Sequence, residues 1–133
     1  MSPTEAEVRE AAAALVDAFG RGDLEAYFAC FDDDATFLFH TTDRLLRSTA
    51  EFRREWNRWI EEDDFRVLAC ETAGTHVQCY GGIAVITHEV ATTVSTRAGQ
   101  EELDERETIV FRRTDAGRWL AVHEHLSPAP AGH

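Results

Sequence analysis

The chain has 133 residues, a length that suits one domain, because halves of it would be too small for secure cores. A formal charge of −12 repels phosphate backbones and anionic lipid, which argues against nucleic acid and membrane as partners. The hydrophobic fraction of 44% and charged fraction of 29% are those of a globular protein, so the charge reads as a solubility device rather than as disorder.

From the N-terminus, Thr4 can cap a first helix, with Glu5 and Glu7 placed for the positive end of its dipole. Val8, Ala12, Leu15, Val16 and Phe19 fall on one helical stripe, and Gly20 and Gly22 end it. Asp23 caps a second, short helix whose Leu24, Tyr27, Phe28 and Phe31 form a buried face, so the pair reads as a helical hairpin. Asp32-Asp33-Asp34 is a polar break before a strand over 35–40, and 41–47 reads as loop. Ser48 followed by Glu51 is a capping-box signature that opens a third helix, with Phe52, Trp56, Trp59 and Ile60 on its apolar stripe. Glu61-Glu62-Asp63-Asp64 has the wrong charge for a helix C-terminus and predicts an exposed, frayed end.

Beyond Phe65 the pattern turns to strands. Residues 65–80 are strand-like with a bend at Gly74, Gly81-Gly82 marks a hairpin, and 83–95 is a β-branched run. A polar loop over 96–102 leads to strands at 103–113 and 118–127, joined by Thr114-Asp115-Ala116-Gly117, and the tail 128–133 reads as flexible. Helices grouped before an antiparallel meander define an α+β layer. Three N-terminal helices must cover one face of a strongly curved, mostly antiparallel sheet, leaving a concave pocket. One domain over 1–133 is expected.

All 13 basic residues are arginine, a bias that hints at a high-GC bacterial source. Cys30, Cys70 and Cys79 are an odd number without metal-type spacing and read as free thiols in a reducing cytosol. The start, MSPTEAEVRE, has no apolar stretch for a signal peptide, and no run approaches a membrane span. A cytoplasmic protein is expected.

Gly22-Asp23-Leu24-Glu25-Ala26-Tyr27, followed by Asp33-Asp34-Ala35-Thr36, resembles the second helix and first strand of the nuclear transport factor 2-like superfamily. Glu107-Thr108-x-Val110-Phe111, Arg112-Arg113, then Gly117-Arg118-Trp119 and Val122-His123-x-His125-x-Ser127, is similar to the association domain of calcium/calmodulin-dependent protein kinase II. The resemblance runs from about Val8 to Ser127, and stand-alone bacterial relatives are grouped as SnoaL-like. It implies a cystatin-like cone with a central pocket, and a homodimer. In the superfamily's ketosteroid isomerases, a carboxylate base and two acidic donors surround an enolate. Those positions fall on Phe39, on Leu15 and near Ile109, all apolar, which argues against steroid-type proton transfer. The association domain's pocket arginines fall on about Thr87 and Ile109, so its carboxylate-binding feature is not carried over. Its helix-three tryptophan corresponds to Trp59 if a two-residue gap is allowed, and no kinase domain accompanies it here.

Strand periodicity puts Trp119, Ala121, His123, His125 and Ser127 on one face of the last strand, and Leu120, Val122, Glu124 and Leu126 on the other. The resemblance turns the Glu124 face into the pocket and the His123 face outward. A carboxylate among Val122, Leu126, Phe39 and Ile109 would be desolvated, with a raised pKa suited to a general acid or base. The alternative for Glu124 is a structural ion pair with an arginine such as Arg106. His123 and His125 could ligate a metal, with His88 and His40 as possible further ligands, but a bare His-x-His is a weak motif, and the other reading is a dimer interface shared with Trp119 and Ser127. His40, at the pocket mouth, and His88, mid-strand, are acid–base candidates, each also readable as a structural histidine. Tyr27, Trp56, Trp59 and Thr87 complete the expected pocket lining, although aromatic residues at helical spacing also suit plain core. Nothing suggests a nucleophile triad, a phosphate loop or a nucleotide site.

Two functions stay open at this point. One is a small-molecule pocket protein that isomerises, cyclises or dehydrates an apolar, ring-bearing metabolite, with no cofactor. The other is a non-catalytic, hub-like homo-oligomeric association module.

Overall fold

The computed structural model describes residues 2–130. Its elements in order are α1 (Pro3–Gly20), α2 (Leu24–Phe28), β1 (Phe31–Phe39), α3 (Thr49–Asp63), β2 (Arg66–Tyr80), β3 (Ile83–Thr96), β4 (Gly99–Arg113) and β5 (Trp119–Pro128). The strands make one five-stranded sheet in the order β1-β5-β4-β3-β2. It is antiparallel except where β1 lies parallel to β5. This is the α+β layer that the order of apolar stripes predicts. Among the described residues no helix is long and apolar enough to cross a membrane.

The helix ends show which local signals decide. α1 starts before Thr4: Pro3 takes the first turn, where its missing N–H is no loss, and the Ser2 hydroxyl accepts from the Glu5 N–H at 3.1 Å. α3 opens with its capping box, Ser48 Oγ accepting from the Glu51 N–H at 3.0 Å while Glu51 Oε2 accepts from the Arg47 N–H at 3.1 Å. Its acidic C-terminus is not frayed. Asp64 turns into the left-handed region at φ 50° and returns its N–H to the Ile60 carbonyl. Arg97, in the β3–β4 turn, then supplies the missing cation: its guanidinium donates to the carbonyls of Glu61 and Glu62, and its backbone N–H to that of Asp63 at 2.9 Å.

Bulges bend the sheet into a cup. Pairing of β2 with β3 shifts between Ala73 and His76, around Gly74 at φ 65°, a value that a side chain would strain. On β5, Val122 is an extra residue opposite the step from Val110 to Phe111. β1 begins earlier than expected because Phe31 already pairs with Ala121, and the acidic triplet bulges out with Asp32 held by Arg112. β4 also begins earlier, because a tight turn at Arg97-Ala98 lets Thr96 pair with Gly99. At the other end Pro128 still belongs to β5, and the Ala129 N–H bonds to the Asp104 carbonyl at 3.0 Å, so the tail is tied down at least to that point. The part of the expected flexible tail at 131–133 lies outside the described residues.

The helices lie on the concave face. Tyr27, Phe37 and Phe52 are fully buried there, with the Phe37 and Phe52 rings 4.4 Å apart and Tyr27 5.7 Å from Trp56. Each such ring contributes about 1.5–3 kcal/mol by leaving water. Together they pin α2 and α3 to β1, while the middle of the cup stays open.

Candidate functional site

A cavity of about 220 Å³ lies between the helices and the concave face. Its roof is apolar: Leu15, Val16 and Phe19 from α1, Tyr27 from α2, and Phe52, Trp56 and Trp59 from α3. Phe39, Thr41 and Phe65 close the side, and the strands supply the floor, from Cys70 on β2 to Leu126 on β5. Three carboxylates, Glu105, Glu107 and Glu124, stand in that floor, and among the described lining residues there is no arginine.

Register assembles the acids. On β4, Leu103, Glu105, Glu107, Ile109 and Phe111 alternate inward. His88 of β3 sits directly opposite Glu107, and Ile109 opposite Glu124 of β5, so Glu107 and Glu124 are diagonal neighbours on the inner face. His88 Nε2 and Glu107 Oε1 share a hydrogen bond at 2.6 Å, Glu107 and Glu124 share another, and the Tyr27 hydroxyl donates to Glu124 Oε2 at 3.2 Å. A buried row therefore runs from β3 through β4 and β5 to α2.

Burial sets the protonation of this row. Glu124, 4% exposed, has its pKa raised well above the usual carboxylate range, first by desolvation and then by the neighbouring Glu107 charge. Desolvation likewise lifts Glu107, to about 7. The two carboxyls act as one titrating pair that keeps a proton where a surface glutamate would be ionised. Desolvation lowers the His88 pKa against the pull of Glu124, so the imidazole is held neutral. The Tyr27 phenol is raised by burial and by Glu124, and remains a donor. The Cys70 thiol is pushed by burial up to about 11, so it is not a nucleophile at neutral pH.

A second pair stands apart from this row. His40 Nε2 lies 2.5 Å from Glu105 Oε2, with the imidazole side chain 32% exposed and the carboxylate lining the cavity. His40 therefore connects solvent to the cavity wall.

Of the residues singled out by sequence, Glu124, Tyr27, Phe39, Trp56, Trp59 and Leu126 line the cavity. His88 reaches it only through Glu107, and His40 only through Glu105. Thr87 is on the convex face, between inward-facing Ile86 and His88. Ile109 points inward but is fully buried outside the lining. Val122 occupies the β5 bulge and does not line the cavity. The same bulge corrects the outer-face reading of Trp119. That residue and Ala121 point inward with Glu124, and Trp119, 6% exposed, donates its Nε1–H to Glu7 of α1 at 3.1 Å. His123 and His125 do face outward, His123 Nδ1 lying 2.7 Å from Thr36 Oγ1. Arg106, the suggested partner of Glu124, is exposed on the opposite face. Among the described residues no group of three His, Cys, Asp or Glu side chains is arranged to hold a metal ion.

Glu105 and Glu107 are the site residues that the sequence reading misses. The signal was present: both fall on the apolar parity of Leu103, Ile109 and Phe111, where a charged residue is costly unless it has a task or a partner.

The sequence profile of the SnoaL-like domain matches residues 8–132, and the chain belongs to that family. The fold is that of nuclear transport factor 2-like proteins. It is similar to a ketosteroid isomerase-like protein from Erwinia carotovora atroseptica, at 21% identity over 98% of this chain and 100% of that one, with a TM-score of 0.80. It is also similar to an NTF2-like protein of unknown function in nutrient uptake from Rhodospirillum rubrum, at 18% identity over 92% of this chain and 98% of that one, TM-score 0.79. A third similar structure, from Catenulispora acidiphila, is a complex with S-DNPA, at 17% identity over 95% of this chain and 93% of that one, TM-score 0.77. Identities at this level speak for the fold alone. No functionally curated protein sequence matches the chain.

Proposed function

We propose that the protein binds a compact, apolar, ring-bearing metabolite and moves a proton on it without a cofactor, as an isomerase, cyclase or dehydratase does. The observation that carries this reading is the Glu107–Glu124 pair, which retains a proton in an apolar cavity with no arginine to neutralise it. A carboxyl poised near neutral pH can take a proton from carbon beside a carbonyl and return it at a second position. The electron pair left behind moves to the carbonyl oxygen, where a protonated carboxyl or the Tyr27 phenol can donate to it. In this scheme His88 positions Glu107, and His40 with Glu105 is a second acid–base pair. The bound S-DNPA of the Catenulispora protein supports a small-molecule cavity in this fold.

The convex face supports a homodimer. Val85, Val110, Leu120 and Val122 are half-buried there, with Leu38 and Ile83 exposed beside them. Free thiols at Cys30, Cys70 and Cys79 suit a reducing, cytoplasmic setting.

The test is exchange of the ring protons of 2-indanone, a compact carbon acid, in deuterated water, followed by proton NMR. Wild-type protein should accelerate it over buffer, and Glu124→Gln should lose about a hundredfold or more of that acceleration. No acceleration, together with an unliganded cavity in protein as purified, would turn the reading to a non-catalytic association module.

A further inference from the structure

We propose that the cavity selects an organic cation, an aryl-alkyl ammonium, and takes it up in exchange for the proton held between Glu107 and Glu124. The inference rests on the reading of the cavity as a ligand site, and it adds a charged amino group to the apolar, ring-bearing body of that ligand.

Two features of different kind converge. One is the sign of the polar wall: the cavity is lined by three carboxyls, Glu105, Glu107 and Glu124, and among the described residues by no arginine, and the basic groups nearby are imidazoles already bonded to two of them. A ligand carboxylate would meet like charge in a desolvated place, without an arginine or lysine to offset it. The other is the opposite wall, which is lined by the aromatic residues Phe19, Tyr27, Phe52, Trp56 and Trp59. Ring faces attract cations, and this is the composition of sites that hold alkylammonium groups. An aryl-alkyl ammonium satisfies both walls, its ring among the aromatic residues and its N–H groups on the glutamates.

Burial and mutual repulsion keep Glu107 and Glu124 from both being charged, so the acid pair retains a proton in place of a counter-ion. An entering ammonium takes over that role, and the proton leaves to the buffer. The groups facing the pair are Glu105 on the same strand, His88 on β3, Cys70 on β2, Tyr27 on α2, and His40 at the end of β1 through Glu105. α1 and α3 bring only apolar side chains to the cavity. None of these facing groups is a fixed cation, so nothing else in the wall can make up the charge.

The experiment is calorimetric titration of the whole chain with phenethylammonium, 2-phenylethanol and 3-phenylpropionate, three probes of one shape and different charge. Titrations run at about pH 6, 7 and 8, in buffers of different ionisation enthalpy. The ammonium should bind tightest and release close to one proton at the lowest pH. Its affinity should rise about tenfold per pH unit below the titration of the pair and level off above it. Glu107→Gln should bind with a flatter pH dependence and less proton release. Tighter binding of the propionate or the alcohol, or ammonium binding without proton release, would overturn the cation inference while leaving the cavity as a ligand site. Binding of none of the three would overturn both.

Discussion

Tyr27 and Glu124 meet at 3.2 Å across 97 positions of sequence, the phenol on α2 donating to the carboxyl on β5. This bond is where the helical roof and the sheet floor of the cavity touch through polar atoms. It also favours the ionised form of Glu124, against the burial that opposes it. Tyr27→Phe keeps the ring packing and removes the donor. It should cost about 1–2 kcal/mol in urea unfolding near neutral pH and leave Glu124 more firmly protonated. An unchanged midpoint would show that water takes over the donor's place.

The acid pair makes stability depend on pH in a defined sense. Glu107 moves from an ordinary 4.5 to about 7 on folding. A carboxyl raised in the folded state favours folding fully at pH below its unfolded value, and that contribution is lost as pH climbs through the folded one. Wild-type protein should therefore lose stability between about pH 5 and pH 8, on the order of 3 kcal/mol from this group. Glu107→Gln, which cannot ionise, should give a flatter curve, and parallel curves for the two proteins would refute the assignment.

Arg97 ties the end of α3 to the β3–β4 turn. Arg97→Ala should cost about 1 kcal/mol and speed amide hydrogen exchange over the last turn of α3, leaving the central strands protected. Equal exchange rates would mean that the Asp64 turn alone holds the helix end.

The two faces of the sheet predict different outcomes on assembly. Val110→Glu places a charge on the convex face, opposite His123, and should shift a dimer to monomer in light scattering. Trp119→Phe removes the bond to Glu7 beneath α1 and should cost about 1 kcal/mol of stability without changing oligomeric mass. A dimer that survives Val110→Glu would move the interface elsewhere.

Much of this architecture is legible because local and tertiary demands agree. The stripes of α1 and α3, the Ser48 capping box and the Gly81-Gly82 hairpin each reflect physics contained within a few residues. What escapes is non-local. The end of α3 looks frayed until a cation arrives from another turn. The resemblance turns the Glu124 face into the pocket, but simple alternation then sends Trp119 the wrong way, because the extra residue at Val122 reverses parity between them, and no glycine marks that bulge. Tyr27 reads as a buried ring of the pocket lining and is one; its hydroxyl acquires a role only when β5 is placed beneath it.

The parallel pairing of β1 with β5 fixes when the molecule becomes competent. On the ribosome β1 emerges first of the five strands, yet its neighbour in the sheet, β5, is the last of the five to be made. Until then Ala35, Phe37 and Phe39 have no ladder to join, and Asp32-Asp33-Asp34 is the charged run that discourages them from pairing with another chain. Long-range closure of this kind slows folding. It also delivers Glu124 on the strand that completes the sheet, so a chain that stops short of β5 lacks both the closed cup and the second member of the acid pair.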